Sequence, residues 1–105
     1  MVAPISTAKP RFPLGQVVMT PGAMAAIEEA GQQPIEFIAR HVCGDWGSEL
    51  DAEDAKANDA ACQHEGDVDR QERILSAYKT RLNVKIWVIT ESTREVTTLL
   101  LPEEY

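Results

Sequence analysis

The 105-residue chain suits one small domain, and its 44% hydrophobic content allows a core, though a thin one for its surface. A net charge of −7 and a pI of about 4.7 oppose nucleic acid unless the ten Lys and Arg residues gather on one face. No apolar run approaches the ~18 residues that span a membrane. The opening MVAPISTAKPRFP lacks the apolar segment of a signal peptide, so a cytoplasmic protein with no membrane partner is expected.

Residues 1–13, rich in proline, read as a mobile arm, and residues 14–105 as a single α+β domain. GQVVMT, Gly15 to Thr20, is short and β-branched and predicts a first strand. In TPGAMAAIEEAG, Thr20 is an N-cap, Pro21 opens the helix and Gly31 closes it. Met24, Ile27 and Ala30 are its expected core stripe. QPIEFIARHVCG repeats the device from Pro34 to Gly44, with Ile35, Ile38 and Val42 as the buried stripe. Phe37 and His41 share an adjoining face. DAEDAKANDAACQHEG predicts a third helix, capped by Asp51 and supported by Glu53 and Asp54 at its positive end. Its apolar residues are almost all alanine, so it packs closely but buries little. DVDRQ is a polar loop.

After Gly66 the hydrophobic period changes from helical to alternating. ERILSAYK, VKIWVIT and EVTTLLLP read as three strands joined by the short links TRLN and ESTR, an antiparallel meander. The expected fold is therefore α+β, with an N-terminal strand and two to three helices packed on one face of an antiparallel sheet.

His41-Val42-Cys43 and Cys62-Gln63-His64 form a mirror containing all the Cys and His of the chain. Two of each could make a tetrahedral zinc site, but neither pair has the usual ligand spacing. Residues two apart on a helix also point to nearly opposite sides. Free thiols, no metal and no cofactor are expected.

The strings RHVCGDWGSEL, Asp54 with Asn58, RILSAY, KIWVITE and TTLLLPEEY resemble a family of small proteins encoded on plasmids and integrated mobile elements. The resemblance runs from about Phe12 to Tyr105 and implies an accessory role for such an element. This chain departs from the family at Thr93, where an acidic residue usually precedes the basic one. The element order also resembles barnase, colicin-type tRNases and interferase toxins, ribonucleases that cleave without metal. That likeness implies a catalytic set of His41, Arg94, Thr97 and Thr98, with Arg73, Ser76, Tyr78 and Thr90 in the wider inventory.

Each candidate also has a structural reading. His41 at a helix C-terminus can bond the last carbonyls. GDWG, Gly44 to Gly47, can be a corner in which Gly44 caps, Asp45 bonds nearby backbone, Trp46 covers the core edge and Gly47 turns the chain. The sheet hydroxyls can pair across strands, and Trp87 can be core. These structural readings are preferred. Glu49, Asp51, Glu53, Asp54 and Asp59 form an acidic cluster that could imitate the phosphates of a nucleic acid. The expected function is a small acidic accessory protein of a mobile genetic element. Its partner would be a host, phage or plasmid protein with a basic surface, such as a defence nuclease. The alternative is the metal-independent ribonuclease or toxin, which alone takes nucleic acid as a partner.

Overall fold

The computed structural model describes residues 10–67 and 71–105. In chain order it contains β1 (Gln16–Met19), α1 (Pro21–Glu29), α2 (Pro34–Val42), α3 (Ala52–Gln63), β2 (Ile74–Lys79), β3 (Lys85–Thr90) and β4 (Val96–Leu100), then a 3₁₀ turn over Pro102–Glu104. This is the expected α+β domain. Residues 1–9 of the expected arm, and 68–70 of the expected loop, lie outside the described residues. The buried core begins before residue 14, since Phe12 is 4% exposed and Arg11 N–H donates to the Val42 carbonyl.

The sheet order is β1-β4-β3-β2. β2 pairs antiparallel with β3, and β3 with β4, which is the meander. β1 pairs parallel with β4, Gln16 beside Val96 and Met19 beside Leu99, so the sheet is mixed rather than antiparallel throughout. Tight hairpins impose the antiparallel direction on consecutive strands. No such link joins β1 to β4, so nothing in the local pattern sets its direction.

Alternation divides the sheet cleanly. Ile74, Ser76 and Tyr78 align with Thr90, Val88 and Ile86, and Thr97 and Leu99 continue the same face. The helices cover that face: Ala23, Ala26, Ile27, Phe37 and Ile38 pack with Tyr78, Ile86, Val88 and Leu99. Leu75, Ala77, Lys79, Lys85, Trp87, Ile89, Val96, Thr98 and Leu100 take the other face.

Thr20 Oγ1 accepts from Ala23 N–H, Pro21 occupies the first turn and Gly31 has φ +69°, as the capping rules require. The core stripes are rotated from those expected. Met24 and Ile35 are 49% and 50% exposed, while Ala23, Ala26, Ile27, Phe37, Ile38 and His41 are buried. In α1 the small alanines let the helix lie close on the sheet. In α2 the larger Phe37 is buried in place of Ile35.

α3 lies against β2. Asp51 caps it through Asp54 N–H, and its buried residues are Asn58 and Ala61. Asn58 completes the outer edge of β2: its Oδ1 accepts from Leu75 N–H at 3.1 Å and its Nδ2 donates to the Leu75 carbonyl at 2.6 Å. Ala77 N–H donates to the Trp46 carbonyl on the same edge. An edge strand thus finds partners without another strand. Asn58→Ala strands two strand-edge groups and is expected to cost about 2 kcal/mol. Urea denaturation measures the loss, and a change below about 0.5 kcal/mol refutes this role for Asn58.

Candidate functional site

His41 stands in the last turn of α2, yet its ring turns inward and is 0% exposed. It does not bond the helix carbonyls as expected. Nδ1 lies 2.5 Å from Ser76 Oγ, and Nε2 lies 2.9 Å from Thr90 Oγ1. Thr90 Oγ1 lies 2.7 Å from Thr97 Oγ1, and Thr97 donates to the Leu14 carbonyl at 2.7 Å.

Counting protons sets the direction of this chain. The Leu14 carbonyl can only accept, so the one hydroxyl proton of Thr97 goes there. Thr97 must then accept from Thr90, and Thr90 from His41 Nε2–H. His41 is therefore the Nε2-protonated tautomer, and its bare Nδ1 accepts from Ser76. The order is Ser76 to His41 to Thr90 to Thr97 to Leu14.

Burial, followed by the positive charge of Arg94, pushes the His41 pKa down to about 3. Phe12 and Trp46 present rings at 5.1 and 6.1 Å. The imidazole is thus neutral, engaged at both nitrogens and shut from solvent.

Arg94 adopts φ +63° and is 7% exposed. Its Nη1 donates to the carbonyls of Glu72 at 2.7 Å and Glu91 at 3.0 Å, and its Nε to Glu65 Oε1 at 2.9 Å. Nη2 lies 2.8 Å from the same carboxylate oxygen, at ion-pair distance but without a hydrogen bond. The guanidinium stitches the β3–β4 turn to the segments before β2 and after α3. Of the expected catalytic set, His41 and Thr97 meet through Thr90, while Thr98 faces the opposite side of the sheet.

GDWG is a corner. Gly44 has φ +90° and Asp45 N–H donates to the Arg40 carbonyl, a left-handed helix ending. Asp45 holds Arg40 at 2.7 Å and also accepts from Gly47 N–H. This hydrogen bond to Arg40 depresses the Asp45 pKa and raises that of Arg40. Trp46 is 7% exposed, and its Nε1 donates to Asp59 Oδ1 at 3.1 Å. Tyr78 donates its hydroxyl to the Asp45 carbonyl at 2.5 Å, and burial pushes that hydroxyl's pKa up.

The acidic cluster divides into two sets. Asp59 is held by Trp46 and Arg11, Glu49 pairs with Lys79 at 3.5 Å, and Asp51 caps α3. Glu53 and Asp54 are exposed, with no ion pair among the described residues.

Cys43 and Cys62 lie at different helix ends and neither is in a disulfide, and burial raises the Cys62 pKa. Among the described residues no group of three or more His, Cys, Asp or Glu is placed to hold a metal. His41 in particular has both nitrogens occupied. Nor, among the described residues, is any helix long and apolar enough to cross a membrane.

These features define a small α+β domain whose best-formed polar constellation is interior and holds the fold together. No family model matches the chain, and no curated protein or solved structure matches it.

Proposed function

We propose that this is a non-enzymatic accessory protein of a mobile genetic element. It docks on a basic surface of a host protein, such as a defence nuclease, through the outward side of α3. The observation that carries the reading is the helix itself. Only Asn58 and Ala61 of its twelve residues are buried, and it presents to solvent the carboxylates of Glu53 and Asp54, which have no ion pair among the described residues. With a net charge of −7 behind it, such a surface steers a cationic partner. The mobile-element setting rests on the string of sequence motifs from Phe12 to Tyr105. The sealed environment of His41 weighs against the ribonuclease alternative.

The test is capture from host lysate at low salt by the wild type and by a Glu53→Lys/Asp54→Lys variant, with captured proteins identified. The reversal is expected to lower the melting temperature by a few degrees, because both carboxylates stand at the positive end of α3, and to slow association with the captured partner roughly tenfold. Equal capture by both forms rejects the α3 surface. Cleavage of total RNA by the wild type, lost in His41→Gln, restores the nuclease.

A further inference from the structure

We propose that the helix-free face of the sheet binds single-stranded nucleic acid, with bases stacking on Trp87 and Tyr105 and phosphates held by Arg73 and Lys85. This surface is separate from α3.

Trp87 lies on a central strand, but its side chain points away from the helices and is only half buried. Tyr105 meets it edge-on at 5.7 Å and is 68% exposed. Arg73 lies over the Tyr105 ring at 5.4 Å and hydrogen-bonds its hydroxyl. On the far side of Trp87, Lys85 stands directly opposite Lys79 in the β2–β3 register. Two like charges opposite one another are unfavourable. Glu49 relieves Lys79, while Lys85 has no ion pair among the described residues. An anion seated at Lys85 would remove the repulsion.

The distribution of charge points the same way. Arg11, Arg40, Lys79 and Arg94 are in ion pairs. The other described cations are Lys56, Arg73, Arg81 and Lys85, and two of these lie on the helix-free face. Arg81 is in the adjoining β2–β3 turn. Acids border the row as well: Glu72 adjoins Arg73, Glu104 adjoins Tyr105, and Glu49 pairs with Lys79 opposite Lys85. A protein of net charge −7 thus carries a row of cation, ring, ring and cation on the sheet face opposite the helices, the chemistry that holds unstacked bases and their backbone. A duplex hides its bases from such rings and meets the full net charge. A second copy would bring its own Lys79 and Lys85 against the same lysines. An acidic peptide would use the cations but leave the rings idle.

Fluorescein-labelled thymidine and uridine oligomers of about 12 nucleotides, and a duplex of equal length, test this by anisotropy and tryptophan quenching. Trp46 is 7% exposed, so quenching reports on Trp87. Both single strands are expected to bind and quench, with the duplex weaker. Lys85→Glu and Tyr105→Ala, both at exposed positions, should each weaken binding at least about fivefold. Lys85→Glu should also lower the salt slope by about 0.7. A tighter DNA or RNA arm identifies the preferred sugar, and equal arms mean that only bases and phosphates are read. The proposal is overturned by no anisotropy change at low salt, by duplex binding as tight as single-strand binding, or by variants that bind like wild type. It is equally overturned if an acidic peptide displaces the oligomer without Trp87 responding, or if sedimentation shows a dimer that Lys85→Glu dissociates.

Discussion

Acidification from pH 7 to pH 4 is expected to remove about 3 kcal/mol of folding stability through His41 alone. The folded ring has its pKa lowered from 6.5 to about 3, because burial disfavours the imidazolium and Arg94 repels it. The unfolded chain therefore binds a proton that the folded protein refuses. The contribution is fully present above the unfolded value of 6.5. It falls away as the pH drops toward about 3, where the folded ring titrates too. Carboxylates such as Asp45, whose pKa its Arg40 partner depresses, add to the acid loss, so the informative quantity is a difference. His41→Gln can still donate an N–H toward Thr90 but has no proton to gain. It should be less stable than wild type at pH 7 by about 1–2 kcal/mol, through imperfect packing and a weakened bond to Ser76. The gap should close or reverse near pH 4. Urea denaturation of both proteins across this range measures it. Parallel curves would mean that His41 titrates normally and that the relay does not exclude the charged form.

Gly47→Ala is expected to destabilise by about 3 kcal/mol or more, whereas Gly31→Ala should cost about 1 kcal/mol. The two glycines share a left-handed backbone, with φ of +91° and +69°. Their surroundings differ. A Cβ at Gly31 meets nothing within 4 Å. At Gly47 it would lie 2.0 Å from the Ala77 carbonyl oxygen and 2.8 Å from the Tyr78 ring. That neighbour is the backbone of β2, which is also fixed by Ala77 N–H donating to the Trp46 carbonyl. The corner cannot move outward without breaking that bond and drawing Trp46 from its pocket. Thermal melts of the two variants separate conformational strain, common to both, from collision, found only at Gly47. Equal losses would show that the corner yields.

The elements themselves were legible, for physical reasons. Thr20 with Pro21, Pro34 and Asp51 signal helix starts through the hydrogen bonds and torsions they supply, and the structure uses all of them. The alternation of Ile86 with Trp87 and of Thr98 with Leu99 places each strand residue on its face. The rotation of the helices was not legible. Nine-residue helices give too few turns to fix a phase, and Met24 is more apolar than Ala23 and Ala26, which the helix buries instead. The role of His41 was hidden because its partners lie 35 and 49 residues away. Ser76 and Thr90 can be paired with it only once the register is known. Thr97 and Thr98 both entered the expected catalytic set, but the pleat puts only Thr97 on the face of Ser76 and Thr90. Arg94 read as an available cation, because sequence does not disclose the carbonyls that surround it.

The parallel pairing of β1 with β4 constrains how the molecule is made. Synthesis delivers Gln16 long before Val96, its partner in the finished sheet. Until β4 is made, β1 has no strand to join, and the seat of α1 and α2 on the sheet is incomplete. That pairing joins segments far apart in the sequence and closes the hydroxyl chain from Thr97 to Leu14, 83 residues away. Such distant contacts slow folding relative to a sheet built on local pairings alone. Loss of the residues of β4 would therefore leave no smaller folded core, since the same strand completes the sheet and anchors its beginning.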